Sequence, residues 1–155
     1  MARFPGTEKS SNRAGLRPGQ LVRCLRMRAN AALGLADRRG LVLQVRLANA
    51  RVLFGLQGPT HWLANEQLVA EDAAPADADL ALLARVMTAL RAERLDFDEG
   101  ELLLASQGLP ASALDEARAL LGPRLLSLDL RPEGVHELGI RLRLAEGSGP
   151  GPASP

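Results

Sequence analysis

Seven arginines define the chemistry open to this chain: Arg23, Arg26, Arg28, Arg38, Arg39, Arg46 and Arg51. They lie in a stretch whose apolar residues alternate, so they fall on the outward side of short strands or in the loop between them. A guanidinium is a planar fork of donors that stays charged at any biological pH, and its geometry matches phosphate and carboxylate oxygens. Neighbouring strands would bring several of these forks onto one surface, able to hold phosphates or to steer an acidic protein by long-range attraction. Trp62 lies in the same stretch. Its indole could stack a base, although a lone Trp also serves as rim or core packing.

Catalytic groupings do not emerge. His61 and His136 are the only histidines and Cys24 the only cysteine, so neither a zinc set nor a Cys–His pair at ligand spacing is formed. Cys24 alternates onto the apolar side of its strand, which predicts an inert core thiol. The acids Asp96, Asp98, Glu99 and Glu101 lack the ordered spacing of a calcium loop and read as loop and helix-cap residues. A Gly-rich phosphate loop is absent. The expectation is a protein that is not an enzyme, with neither cofactor nor metal. One cysteine rules out an internal disulfide and fits a reducing, cytoplasmic compartment. No apolar run reaches the ~18 residues of a membrane span, and no apolar h-region follows Arg3, Lys9 and Arg13.

The net charge of +1 conceals a division by position. Met1 to Leu63 carries eleven Arg or Lys against the two acids Glu8 and Asp37, and Ala64 to Pro155 carries eight Arg against sixteen acids. The halves are therefore +9 and −8. A basic unit implies an anionic partner, or internal pairing with the acidic half.

These side chains must be positioned by two blocks, 16–69 and 79–145. They are joined by an acidic Pro-containing linker at 70–78 (AEDAAPADA) and flanked by a flexible basic arm at 1–15 and a disordered Gly/Pro/Ser/Ala-rich tail at 146–155. In the first block Gln20–Met27, Leu41–Leu47, Arg51–Phe54 and His61–Ala64 read as short strands, with a helical turn at 65–68 and a long first loop at 28–39. The segments Pro18-Gly19-Gln20-Leu21-Val22-Arg23, Arg39-Gly40-Leu41-Val42-Leu43, Ala50-Arg51-Val52-Leu53-Phe54, His61-Trp62-Leu63 and Asn65-Glu66-Gln67-Leu68 resemble an SH3-like barrel of the KOW and Tudor-like class. The resemblance covers about 50 residues and implies a small all-β barrel. Such barrels occur in transcription and translation proteins and in small subunits of photosynthetic electron-transfer complexes. The aromatic cage of a methyl-lysine reader and the acidic, aromatic groove of a proline-peptide reader are missing.

The second block begins with apolar residues at helical spacing from Asp79 to Leu95, including Leu80, Leu83, Met87 and Leu90. Asp98-Glu99-Gly100-Glu101 resembles the start of a second short helix over 102–107 that ends at Gly108. A third helix is predicted from about 110 or 112 to Leu121, with Leu114, Ala117 and Leu121 inward. A hairpin follows, in which Leu126, Leu128 and Leu130 alternate and then Leu138, Ile140, Leu142 and Leu144. This order is similar to a winged helix and implies an α+β unit. Its third helix carries Asp115 and Glu116 against only Arg118 and Arg124, which suits a protein contact better than a DNA groove.

The expected fold class is thus an all-β small SH3-like barrel followed by an α+β winged-helix-like unit. The expected function is that of a non-enzymatic adaptor whose basic barrel docks RNA or DNA in a ribosomal or transcription-related assembly. The alternative is a subunit or assembly factor of a larger complex, such as one of photosynthetic electron transfer, that recruits an acidic protein. A protein partner is also expected for the acidic 79–145 unit.

Overall fold

The computed structural model describes residues 15–55, 58–71, 78–98 and 101–145. The expected arm up to residue 14, the linker residues 72–77 and the tail 146–155 lie outside them. The chain divides into two compact units between Ala84 and Arg85. No helix among the described residues is long and apolar enough to cross a membrane.

The first unit contains β1 (Leu21–Cys24), α1 (Arg28–Ala32), β2 (Arg39–Val45), β3 (Asn49–Leu53), β4 (Thr60–Ala64), a 3-10 turn (Asn65–Gln67) and β5 (Leu68–Ala70). Its strands pair antiparallel in the order β5-β1-β2-β3-β4. One face of the sheet gathers Val22, Cys24, Leu35, Val42, Ala50, Val52, Phe54, Leu63 and Leu68 into a core. Gly40 is required at its place in β2, because a Cβ there would come within 2.5 Å of Val52 Cγ1 and 2.8 Å of the Leu53 carbonyl oxygen. The loop predicted at 28–39 contains α1, held from within by Asn30. This side chain is fully buried, and its Nδ2 donates to the carbonyls of Leu25 and Gln67, each at 2.9 Å. Its Oδ1 accepts from Gln67 Nε2 at 2.7 Å.

Helix α2 (Ala78–Ala89) buries Leu80, Leu83, Ala84, Val86 and Met87 and spans the division between the units. It stops before the predicted Leu95 because Arg91 takes a left-handed φ of 51°, after which the chain is extended. The second unit then contains β6 (Ala92–Asp98), β7 (Glu101–Ser106), α3 (Ala113–Leu121), a 3-10 turn (Gly122–Arg124), β8 (Leu125–Pro132) and β9 (Leu138–Leu144). These strands pair antiparallel in the order β6-β7-β9-β8.

The expected small barrel plus winged helix is therefore corrected. The described residues form nine strands, paired antiparallel within each unit, and three helices of 5, 12 and 9 residues. In the first unit Leu41, Leu43 and Leu53 are fully buried on the side of the sheet opposite its core, where an isolated barrel would show a solvated skin. In the second unit the predicted helix over 102–107 is strand β7. Leu102, Leu104 and Ser106 alternate onto one buried side, and the four-residue apolar run Leu102–Ala105 is long enough for a strand but short for a helix. Asp98 lies directly opposite Glu101, so these two acids, read as helix-cap residues, are partners in the β6–β7 ladder. With one of its helices a strand, the helix-turn-helix does not exist. Helix α3 falls where the third helix was predicted, but it buries Ala113, Ala117 and Leu121, with Leu114 only half-buried.

Candidate nucleic-acid interface

The seven arginines are sorted by the strand register into groups with different surroundings. Arg23 on β1 stands directly opposite Arg39 on β2. Two like charges at such a position repel, and a carboxylate resolves the conflict. Glu71, just after β5, accepts from Arg23 Nε at 3.1 Å through one oxygen and from Arg39 Nε through the other. Asp37, in a left-handed conformation with φ 65°, accepts from Arg23 Nη1 at 3.1 Å and lies 3.5 Å from Arg26 Nε. Three of the predicted anion-binding arginines therefore share two acids.

A second group forms across β3 and β4. Arg51 is directly opposite Trp62, and Gln44 on β2 is opposite Arg51, so all three side chains share one face of the sheet. From beyond the end of β2, Arg46 lays its guanidinium carbon 4.3 Å from the centre of the Trp62 ring. Trp62 is 40% exposed. The group is thus an accessible aromatic plate with a cation stacked on it and a second cation beside it. Stacking of this kind offers base or guanidinium planes a surface while phosphates meet the charges.

The remaining arginines stand apart from both groups. Arg38 is exposed, with its guanidinium carbon 5.3 Å above the Phe54 ring, which meets His61 edge-on at 5.9 Å. Arg28 is exposed as the first residue of α1, a placement the Asn30 hydrogen bonds hold against the 3-10 turn. Glu71 and Asp37 are the residues missed by the sequence reading. Asp37 carried a signal, as the acid immediately before Arg38-Arg39. Glu71 is adjacent to Arg23 and Arg39 only through the pairing of β5 with β1.

Cys24 is fully buried in the core, and burial pushes its thiol up to about 12 against the milder opposing pull of Arg38 and Arg23. A thiol so protonated is no nucleophile at neutral pH. Among the described residues, no group of three His, Cys, Asp or Glu side chains is placed to hold a metal ion. The second unit shows a shallow concavity lined by Arg94, Arg131 and Arg141 together with Asp96, Asp129 and Glu133, a mixture of signs that gives no preference for an anion.

No family model, curated protein or solved structure matches this chain.

Proposed function

We propose that this chain is a non-enzymatic nucleic-acid-binding protein of the cytoplasm that works within a ribosomal or transcription-related assembly. It docks RNA or DNA on the Arg46–Trp62–Arg51 face of its first unit. The observation that carries this reading is the Arg46 guanidinium stacked 4.3 Å over a part-exposed Trp62, with Arg51 opposite the same ring. Arg28 and Arg38 add exposed positive charge elsewhere on the same unit. Arg23, Arg26 and Arg39 contribute less, because Asp37 and Glu71 already neutralise them in part.

A second reading, recruitment of an acidic protein, is favoured by that same carboxylate network. There Asp37 and Glu71 of the chain itself already lie beside paired arginines, an arrangement an acidic partner would extend.

The test is titration of the full chain with single-stranded RNA, single-stranded DNA and duplex DNA over a salt series. Trp62 is the only tryptophan, so its fluorescence reports the site directly. Binding that quenches Trp62 and weakens log-linearly with salt is expected. Trp62→Ala should weaken single-strand binding by about 1–3 kcal/mol. Salt-sensitive binding that leaves Trp62 unchanged, or no binding at low salt, would overturn the reading.

A further inference from the structure

We propose that β8 is a docking edge for a second copy of this chain. The two β8 strands would pair antiparallel about a two-fold axis through Leu130. This inference is independent of the nucleic-acid site, which lies on the other unit.

Strand β8 ends the strand order of its unit, so among the described residues one side of its backbone has no neighbouring strand. Which groups face that side follows from the ladder with β9. Glu133 N–H donates to the Glu137 carbonyl at 2.9 Å, which makes 133 and 137 a hydrogen-bonded pair. In an antiparallel ladder such pairs recur at every second residue, here at Arg131 with Gly139 and at Asp129 with Arg141. The intervening residues, Leu128 and Leu130, therefore direct their N–H and C=O groups to the open side. Unpaired edges of this kind are templates for another strand.

The side chains show the same incompleteness. Ile140 and Leu142 on β9 are buried, yet their partners across the ladder, Leu130 and Leu128, are 45% exposed and half-buried. The apolar side of the sheet continues over β8 without equal cover, and Leu126 adds a side chain 61% exposed. On the opposite side of the sheet, Arg141 pairs with Glu101 at 3.1 Å and Arg94 with Glu137 at 3.2 Å. Asp129 and Arg131 are exposed and make no ion pair among the described residues.

Charge complementarity selects the second copy and its register. Asp129 and Arg131 flank Leu130 on one side of the strand, two residues apart, spaced along the strand and not across it. In a two-fold pairing centred on Leu130, each Asp129 lies opposite the other copy's Arg131, giving two complementary pairs. The open-edge groups match in this register as well: Leu130 exchanges both bonds with its own counterpart, and Leu128 N–H meets the other copy's Pro132 carbonyl. A pairing centred on Asp129 would set Asp129 against itself. One centred on Leu128 would leave both charges without a partner of opposite sign. Opposite charges directly across a strand pair stabilise it and like charges destabilise it.

The experiment is sedimentation equilibrium of the full chain over a wide concentration range, without nucleic acid. The native chain is expected to form a dimer. Asp129→Arg and Arg131→Asp should each weaken self-association by roughly tenfold or more, because each places two like-charge pairs across the interface. An equimolar mixture of the two variants should dimerise again, since every cross-strand pair is then of opposite sign. Circular dichroism of each variant establishes that it is folded. A native chain that stays monomeric throughout, single variants that dimerise like the native chain, or a mixture that fails to recover would each overturn the proposal.

Discussion

Asn30 is the residue whose removal tests the architecture of the first unit most sharply. It is fully buried and makes three hydrogen bonds, two donated to main-chain carbonyls and one accepted from Gln67. The Gln67 carbonyl also accepts from Leu25 N–H at 2.9 Å, so it survives the loss of Asn30 with a partner. Asn30→Ala therefore orphans two groups, the Leu25 carbonyl and Gln67 Nε2. At about 1–3 kcal/mol for each buried group left unsatisfied, the expected loss is roughly 2–6 kcal/mol. Against the ~5–15 kcal/mol that holds a typical domain, this is a large fraction. In urea, with a slope near 2 kcal/mol/M, the unfolding midpoint should fall by about 1–3 M at unchanged slope. Asn30→Asp should be worse at neutral pH. It keeps the shape but turns a carboxylate oxygen toward two carbonyls, and its deficit against the native chain should shrink as pH falls and the acid protonates. A loss below about 0.5 kcal/mol for Asn30→Ala would refute the argument that this network holds α1 in place.

Other perturbations follow from the same geometry. Gly40→Ala should lower stability by about 1–3 kcal/mol in urea unfolding, because the new methyl meets Val52 Cγ1 and the Leu53 carbonyl, and only one of these can move cheaply. The Cys24 thiol should resist a thiol reagent in the native protein and react fully once unfolded. With its pKa pushed up to about 12 in the fold, its contribution to stability is complete below the ordinary thiol range near 8.5 and is lost as pH rises from there toward 12, which alkaline unfolding of a Cys24→Ala variant against the native chain would measure. Glu71→Gln frees Arg23 and Arg39 from a carboxylate, so it should tighten nucleic-acid binding at low salt and steepen the salt dependence by about one unit in the log–log slope.

The first-unit strands could be read from sequence because each is a short alternating run stopped by Gly, Asn or Pro. The strands around Val22 and Cys24, around Val42, around Val52 and around Leu63 fall within a few residues of their expected places. Helix α1 was hidden because Arg28–Ala32 has one buried residue, and it is polar. The second unit was misread where periodicity is ambiguous. Leu102-Leu103-Leu104 fits either a strand or a helix, and the acids before it imitate a cap, so only pairing with β6 and β9 decides the matter. The end of α2 depends on a left-handed Arg91, a conformation no Arg announces in sequence. Among the site residues, Trp62 and Arg51 could be placed together by strand alternation. Glu71 could not, because its role depends on the β5–β1 pairing across 48 residues.

The half-chain charge of +9 overstates what a partner would meet, and the reason lies in the register. Strand pairing sets Arg23 against Arg39, a like-charge pair that weakens the ladder unless a carboxylate stands between them. Glu71 supplies it, with one oxygen for each guanidinium, and Asp37 holds Arg23 from the other end. These arginines are thereby committed to closing the sheet edge at β1 and β5, and their exposed atoms present a near-balanced surface. At the opposite edge the solution is different. Arg46 stacks on Trp62, whose π face lowers the energy of a cation without cancelling its charge, and Arg51 stands directly opposite Trp62 in the ladder. A carboxylate neutralises a guanidinium and a ring does not, so the Arg46 guanidinium keeps its charge where it stacks on Trp62. Arginines of the same half-chain thus meet carboxylates at one edge of the sheet and an aromatic ring at the other.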